Sequence, residues 1–154
     1  MNFKSYLGII LVFVATLLST PDSRSHHAFS SEFDADKPFQ VKGKVVKVEW
    51  INPHSWIHVD VIDADGTVTP WMMEGGTPNS LLRAGLTRSL LRVGSEVIVR
   101  GYQSKDPDCQ RKCRGSGRDI TFTDGRNLFM GSSGAGAPRE EAAGREWKTN
   151  EDED

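Results

Sequence analysis

The sequence predicts a mainly β protein: a five- to six-stranded Greek-key barrel with one short helix between strands three and four. Three observations predict it. Fifteen Gly and 7 Pro in 154 residues call for many turns, which suits strands better than a helical bundle. Runs of β-branched residues are separated by Asn-Pro and Asp-Gly pairs, the dipeptides that reverse a chain. One helix-start signal, Thr77-Pro78, stands between the third and fourth strand runs.

The first residues lie outside this fold. Lys4 precedes Tyr6 to Leu18, an apolar run of 13 residues broken only by Thr16. An ordinary membrane span needs about 20, whereas a signal-peptide core needs fewer. Pro21 ends the run, and Ser23-Arg24-Ser25 sets small residues at positions -3 and -1 of a cut before His26. Cleavage there predicts a periplasmic or secreted protein with no stable membrane span, beginning His26-His27-Ala28-Phe29. An uncleaved N-terminal anchor is the competing reading. At the other end, residues 131–154 carry 3 basic and 7 acidic side chains and little apolar content, the composition of a solvated, disordered tail. The expected layout is a signal peptide at 1–25, an N-terminal arm at 26–40, a barrel at 41–130 and an acidic tail at 131–154.

Within the barrel, Val41 to Trp50 reads as strand one. Its apolar parity changes midway, with Val41 and Val45 on one face and Val46, Val48 and Trp50 on the other. Such a slip predicts a bulged, bent strand, helped by Gly43. Asn52-Pro53 is a turn. Ser55 to Ile62 is strand two, with Ile57, Val59 and Val61 facing inward. Asp63-Ala64-Asp65-Gly66 is a hairpin turn and Thr67 to Glu74 is strand three, where Pro70 predicts an edge position or a bulge. The helix begins at Thr77 and stops at Gly85. Glu96 to Gln103 is strand four. Asp119 to Thr123 and Asn127 to Met130 flank a second Asp-Gly turn. Residues 105–118, with 5 basic and 2 acidic side chains, read as the loop before strand five.

This order, with a long curved first strand and a helix between strands three and four, resembles the OB-fold. A plain β-sandwich is the alternative, but it gives the helix no place. The mature sequence also resembles a family of exported bacterial proteins, domain-of-unknown-function family 6152. The matching pieces are His26-His27-Ala28-Phe29, Phe33-Asp34-Ala35-Asp36-Lys37-Pro38, Gly43-Lys44-Val45, Val48-Glu49-Trp50, Asn52-Pro53-His54-Ser55-Trp56, Gly76-Thr77-Pro78-Asn79 and Asp124-Gly125-Arg126. The resemblance implies export and a small β-barrel, and it implies no activity.

Chemistry points first to the four histidines. On strand two, His54, Trp56, His58 and Asp60 share the outward face. After cleavage, His26 offers a free amine and a ring nitrogen as a chelate. Copper(II) favours such nitrogen donors in tetragonal geometry. A metal site of His26, His27, His54 and His58 is therefore expected, with Asp60 or Glu49 orienting a ring. The terminal His26 resembles the histidine brace of exported copper-binding proteins. In the plainer reading, the first two histidines fray and the others are ordinary strand residues.

A second constellation is aromatic. Trp50, Trp56 and Trp71, with Arg111 and Arg114 from the basic loop, outline a ligand groove at the usual OB-fold position. A glycan, a peptide or an envelope partner protein fits an exported module. A formal charge of -2 speaks against a general nucleic-acid binder. The plainer reading is that most of these rings fill the core. Cys109 and Cys113 are the only cysteines, and a disulfide between them suits an oxidising compartment. No Gly-x-Ser-x-Gly elbow, phosphate loop or His-Glu-x-x-His motif occurs. The expected function is thus an exported, non-catalytic binding module. A small copper-dependent redox enzyme and a purely structural envelope module are the alternatives.

Overall fold

A computed structural model describes residues 26–106 and 113–131. Helix α1 (His26–Glu32) runs into β1 (Phe33–Glu49), followed by β2 (Trp56–Ile62) and β3 (Val68–Glu74). Helix α2 (Pro78–Arg83) precedes β4 (Glu96–Ser104), β5 (Cys113–Phe122) and β6 (Asn127–Phe129). The strands are ordered β3-β2-β1-β4-β5-β6, and β3 also pairs with β5. That last pairing is parallel and closes five strands into a barrel, with β6 as an added strand. This is the predicted OB-like architecture, with its short helix between β3 and β4. The predicted leader, the acidic tail, Cys109 and Arg111 lie outside the described residues. No helix among the described residues is long and apolar enough to cross a membrane.

The parity change in strand one is a bulge. Pairing of β1 with β2 shifts between Val45 and Lys47, leaving Val46 without a partner. Val45 is fully buried and Val46 is exposed, while Val48 and Trp50 return to pack against the core. One extra residue has turned the second half of the strand over, as a bulge does. Gly43 sits just before it. A Cβ there would fall on the Asp60 carbonyl oxygen and crowd Val59. The bend of β1 over β2 therefore needs a residue with no side chain.

Turn chemistry sets the hairpins. In the β2–β3 turn the Asp63 N–H donates to the Thr67 carbonyl, and Gly66 takes a φ of 83°. The β5–β6 turn repeats the pattern between Phe122 and Arg126, with Gly125 at the same φ. Each is a three-residue loop closed by a left-handed glycine. Pro70 stands opposite Asp60, one residue before β3 gains its second partner at Trp71. Its missing N–H therefore costs no ladder bond on the β5 side. Thr77 caps α2 by accepting the Ser80 N–H at 3.1 Å.

Two segments depart from the sequence reading. Residues 33–40, expected as an arm, are the first half of β1, and Pro38 to Lys44 pair continuously with β4. Helix α1 anchors there through Phe29, which packs with Phe33 and edge-on to Tyr102. Residues 113–118, expected as loop, are the first half of β5. Gly115 and Gly117 look like loop residues, but both are buried positions of a strand. A Cβ at 115 would strike the Phe39 ring, and one at 117 the Met130 side chain. Phe39 in turn packs on Trp71, ring centroids 4.6 Å apart. Leu81, Leu86 and Leu91, from α2 and the connection after it, complete the same core.

Gly43→Ala is expected to lower unfolding free energy by about 1–3 kcal/mol, the cost of overpacking a closed site. Lys44→Ala, on the exposed side of the same strand, is expected to change it by less than about 0.5 kcal/mol. Urea denaturation midpoints of the two variants measure the difference.

Candidate functional site

Side chains alternate along each strand, so register decides which residues meet on the outside of the barrel. Two rows cross the strands there. Lys47 on β1 faces His58 on β2, which faces Met72 on β3, which faces Arg114 on β5. Glu49, Trp56, Glu74 and Ser116 form the neighbouring row. The result is one surface with an indole at its centre, a thioether beside it and charges of both signs around them.

Each charge has a different environment. His58 is nearly buried, and its Nε2 lies 2.7 Å from Glu49 Oε2. Lys47 donates to the other oxygen of Glu49 at 2.7 Å. The Lys47 and His58 hydrogen bonds hold the Glu49 carboxyl below the ordinary carboxylate range. At the other end of the row, Glu74 Oε1 lies 2.9 Å from His54 Nδ1. The two atoms are close without hydrogen-bond alignment, so this contact is an ion-pair distance and not an oriented bond. Burial pushes the Glu74 carboxyl up, and the nearby Glu32 charge pushes the same way, while His54 and Arg114 oppose them. Arg114 reaches across β3 to stand over the Trp56 ring, 5.3 Å from its centroid. Its Nε is shielded from solvent and meets no hydrogen-bond acceptor among the described residues. It is a planar cation whose Nε donor is unspent among the described residues.

The predicted site residues are thus partly assembled. Trp56, His58, Glu49 and Arg114 share the outer face, with His54 at its edge. His54 and His58 are four residues apart along an extended chain, about 13 Å, and each sits against a different carboxylate. Trp56 stands between them. Among the described residues no group of three or more His, Cys, Asp or Glu side chains is poised to hold a metal. The side chains of His26 and His27 lie outside the described residues. The backbone of α1 ends at Glu32, whose carbonyl accepts the Lys105 N–H at 2.8 Å just beyond β4.

Other residues go elsewhere. Trp71 was expected in the groove but is a core residue, because odd positions of β3 face inward and even ones outward. Trp50 packs against the barrel with Arg88 at 4.8 Å from its ring, away from the two rows. Asp60 touches neither histidine. It lines a separate groove of about 360 Å³ with Lys42, Lys44 and Glu96, whose charges balance. Cys113 is buried at the start of β5.

Glu74 is the residue that sequence reasoning missed. A signal for it existed. Placing Gly66 as the left-handed residue of a three-residue loop fixes the hairpin register, and counting back pairs Trp56 with Glu74. The β5 neighbours of this hairpin had no such signal.

A family model described as Family of unknown function (DUF6152) matches residues 15–112. The matched stretch contains the α1 histidines, both outer-face histidines, Trp56 and Glu74, and it stops before Arg114. No curated protein matches the chain.

An acid with a raised folded-state pKa favours the fold below its unfolded-state value, and that benefit fades as pH rises through the folded value. Glu74 has this sign. Glu74→Gln, which stays neutral throughout, is expected to melt higher than the parent near neutral pH. The two should melt together at about pH 4. Thermal melts across pH, followed by circular dichroism, give the comparison, and a parent that melts higher at neutral pH contradicts the expected sign.

Proposed function

The chain belongs to this family of unknown function, and on that premise we propose that it is an exported, non-catalytic binding module for an acidic polypeptide segment. The segment lies across the outer face of β2, β3 and β5. The observation that carries the reading is the Arg114 guanidinium, stacked over Trp56 with a shielded, unpartnered Nε. A buried donor without an acceptor is costly unless something supplies one. A carboxylate is the natural complement, since it takes paired hydrogen bonds from a guanidinium. Arg114 occupies one face of the indole, which disfavours a sugar ring stacking there and favours a peptide over a glycan. Glu74 lies 2.9 Å from His54 Nδ1 on the edge of the face. Glu49 is already matched by Lys47 and His58. Met72 and Trp56 supply the apolar contact.

Export belongs to the same proposal. It rests on the apolar run from Tyr6 to Leu18 and the small residues before His26. In an oxidising compartment we expect Cys109 to pair with Cys113.

Binding is read with an oligoglutamate peptide and an oligogalacturonate of equal charge, using intrinsic tryptophan fluorescence. Arg114→Ala and Trp56→Ala are each expected to weaken oligoglutamate binding about tenfold, the scale of one charge-assisted hydrogen bond. Tighter capture of the uronate chain supports a glycan ligand instead. If the parent protein binds neither probe, the module reading is lost.

A second reading is supported by the position of α1. Its last residue acts electrostatically on Glu74, which touches His54, and its first residue is His26. After cleavage, the His26 amine and ring form a copper(II) chelate completed by His27 and by His54 or His58. Mature protein with an authentic N-terminus is then expected to bind copper(II) at least about tenfold tighter than protein carrying one extra residue before His26. Competition against a copper-chelating dye measures this, and equal affinities eliminate the site.

A further inference from the structure

The outer face lies beside the point where the C-terminal segment leaves the barrel. Gly76, two residues beyond Glu74, donates its N–H to the Met130 carbonyl at 2.8 Å. Gly131 donates to the Arg118 carbonyl at 3.2 Å, and its own carbonyl lies against Gly76. Since Glu74 is the cross-strand partner of Trp56, the chain departs next to the Trp56–Arg114 pair. The segment that follows, residues 132–154, lies outside the described residues. It carries 7 acidic and 3 basic side chains and a single aromatic, Trp147.

We propose that this C-terminal segment is the module's own internal ligand: it docks its carboxylates on Arg114 beside Trp56 and competes with acidic partners for that face. The inference rests on the reading of the outer face as an acidic-peptide site. Three features argue for this occupant. Charge is complementary at Arg114, because the segment is net acidic and the guanidinium Nε has no acceptor among the described residues. Reach is sufficient, because Trp147 lies sixteen residues beyond Gly131. A flexible chain of that length has a root-mean-square span of about 20–24 Å, enough to return to a site beside its own exit. Tethering then supplies an effective concentration on the order of millimolar. An interaction too weak to matter between separate molecules is thereby populated within one. The segment also lies beyond the stretch that the family model matches.

Three forms of the mature protein decide the matter. They are the full chain, a chain ending at Gly131, and a full-length variant with Glu151→Gln, Asp152→Asn, Glu153→Gln and Asp154→Asn. The probe is the same oligoglutamate peptide, titrated at low salt because screening weakens exposed charge pairs. The shortened and neutralised forms are expected to bind it about three- to tenfold tighter than the full chain, as removal of a tethered competitor predicts. A synthetic peptide of residues 132–154 is expected to compete with the probe on the shortened form. Equal affinity of all three forms overturns the internal-ligand proposal and leaves the acidic-peptide site standing. Failure of the shortened form to bind the probe at all removes the site itself. If the gain on shortening persists in an Arg114→Ala background, the segment docks elsewhere and the proposal is overturned.

Discussion

Closure of the barrel depends on strands that approach one another where no Cβ is present. Gly101 on β4 and Gly115 on β5 crowd the Phe39 ring, and Gly117 crowds Met130. The space left by three missing side chains is filled by one phenyl ring and one thioether from other elements. Packing of this density leaves a methyl group no room. The consequence is geometric. With glycine at inward positions 115 and 117, the first half of β5 packs on Phe39 and Met130 and forms with β3 the parallel ladder from Trp71–Cys113 to Glu74–Ser116. Without that ladder β3 and the first half of β5 would be edges, with unpaired backbone groups facing solvent.

The same ladder makes the functional surface. Arg114 reaches Trp56 only because β5 borders β3 along residues 113–116. An open sheet would leave that arginine at the far end of the strand order, beyond β1 and β4. Barrel closure thus brings together two residues that lie 58 positions apart in the chain. It also explains the raised pKa of Glu74, which is half-buried between neighbouring strands and close to the end of α1. The outer face is therefore a product of the core: a core glycine decides where a surface cation stands.

Electrostatics on this face are arranged in pairs and not as a single field. Glu49 is matched by Lys47 and His58, and Glu74 lies against His54. Arg114 differs, because its Nε has no acceptor among the described residues. A surface of this kind discriminates by local geometry and by which donor lacks an acceptor.

Much of the architecture was legible from the residues alone. The bulge at Val46 was readable because inward and outward positions alternate strictly, so an extra residue shows as a parity change. The two hairpins were readable because a left-handed residue is nearly always glycine. The Thr77 cap was readable because a cap is a local hydrogen bond. Each of these is decided within a few residues. What only the tertiary structure decided is long-range. Gly115 and Gly117 carry no side-chain signal, so their role as strand residues emerged only from the Phe39 ring and Met130 that fill their space. Whether Trp71 served the groove or the core, and whether Arg114 met Trp56, were likewise settled by pairing between distant segments. Local conformation follows from steric preference at each residue, whereas the placement of β5 follows from volume, which belongs to no single stretch of sequence.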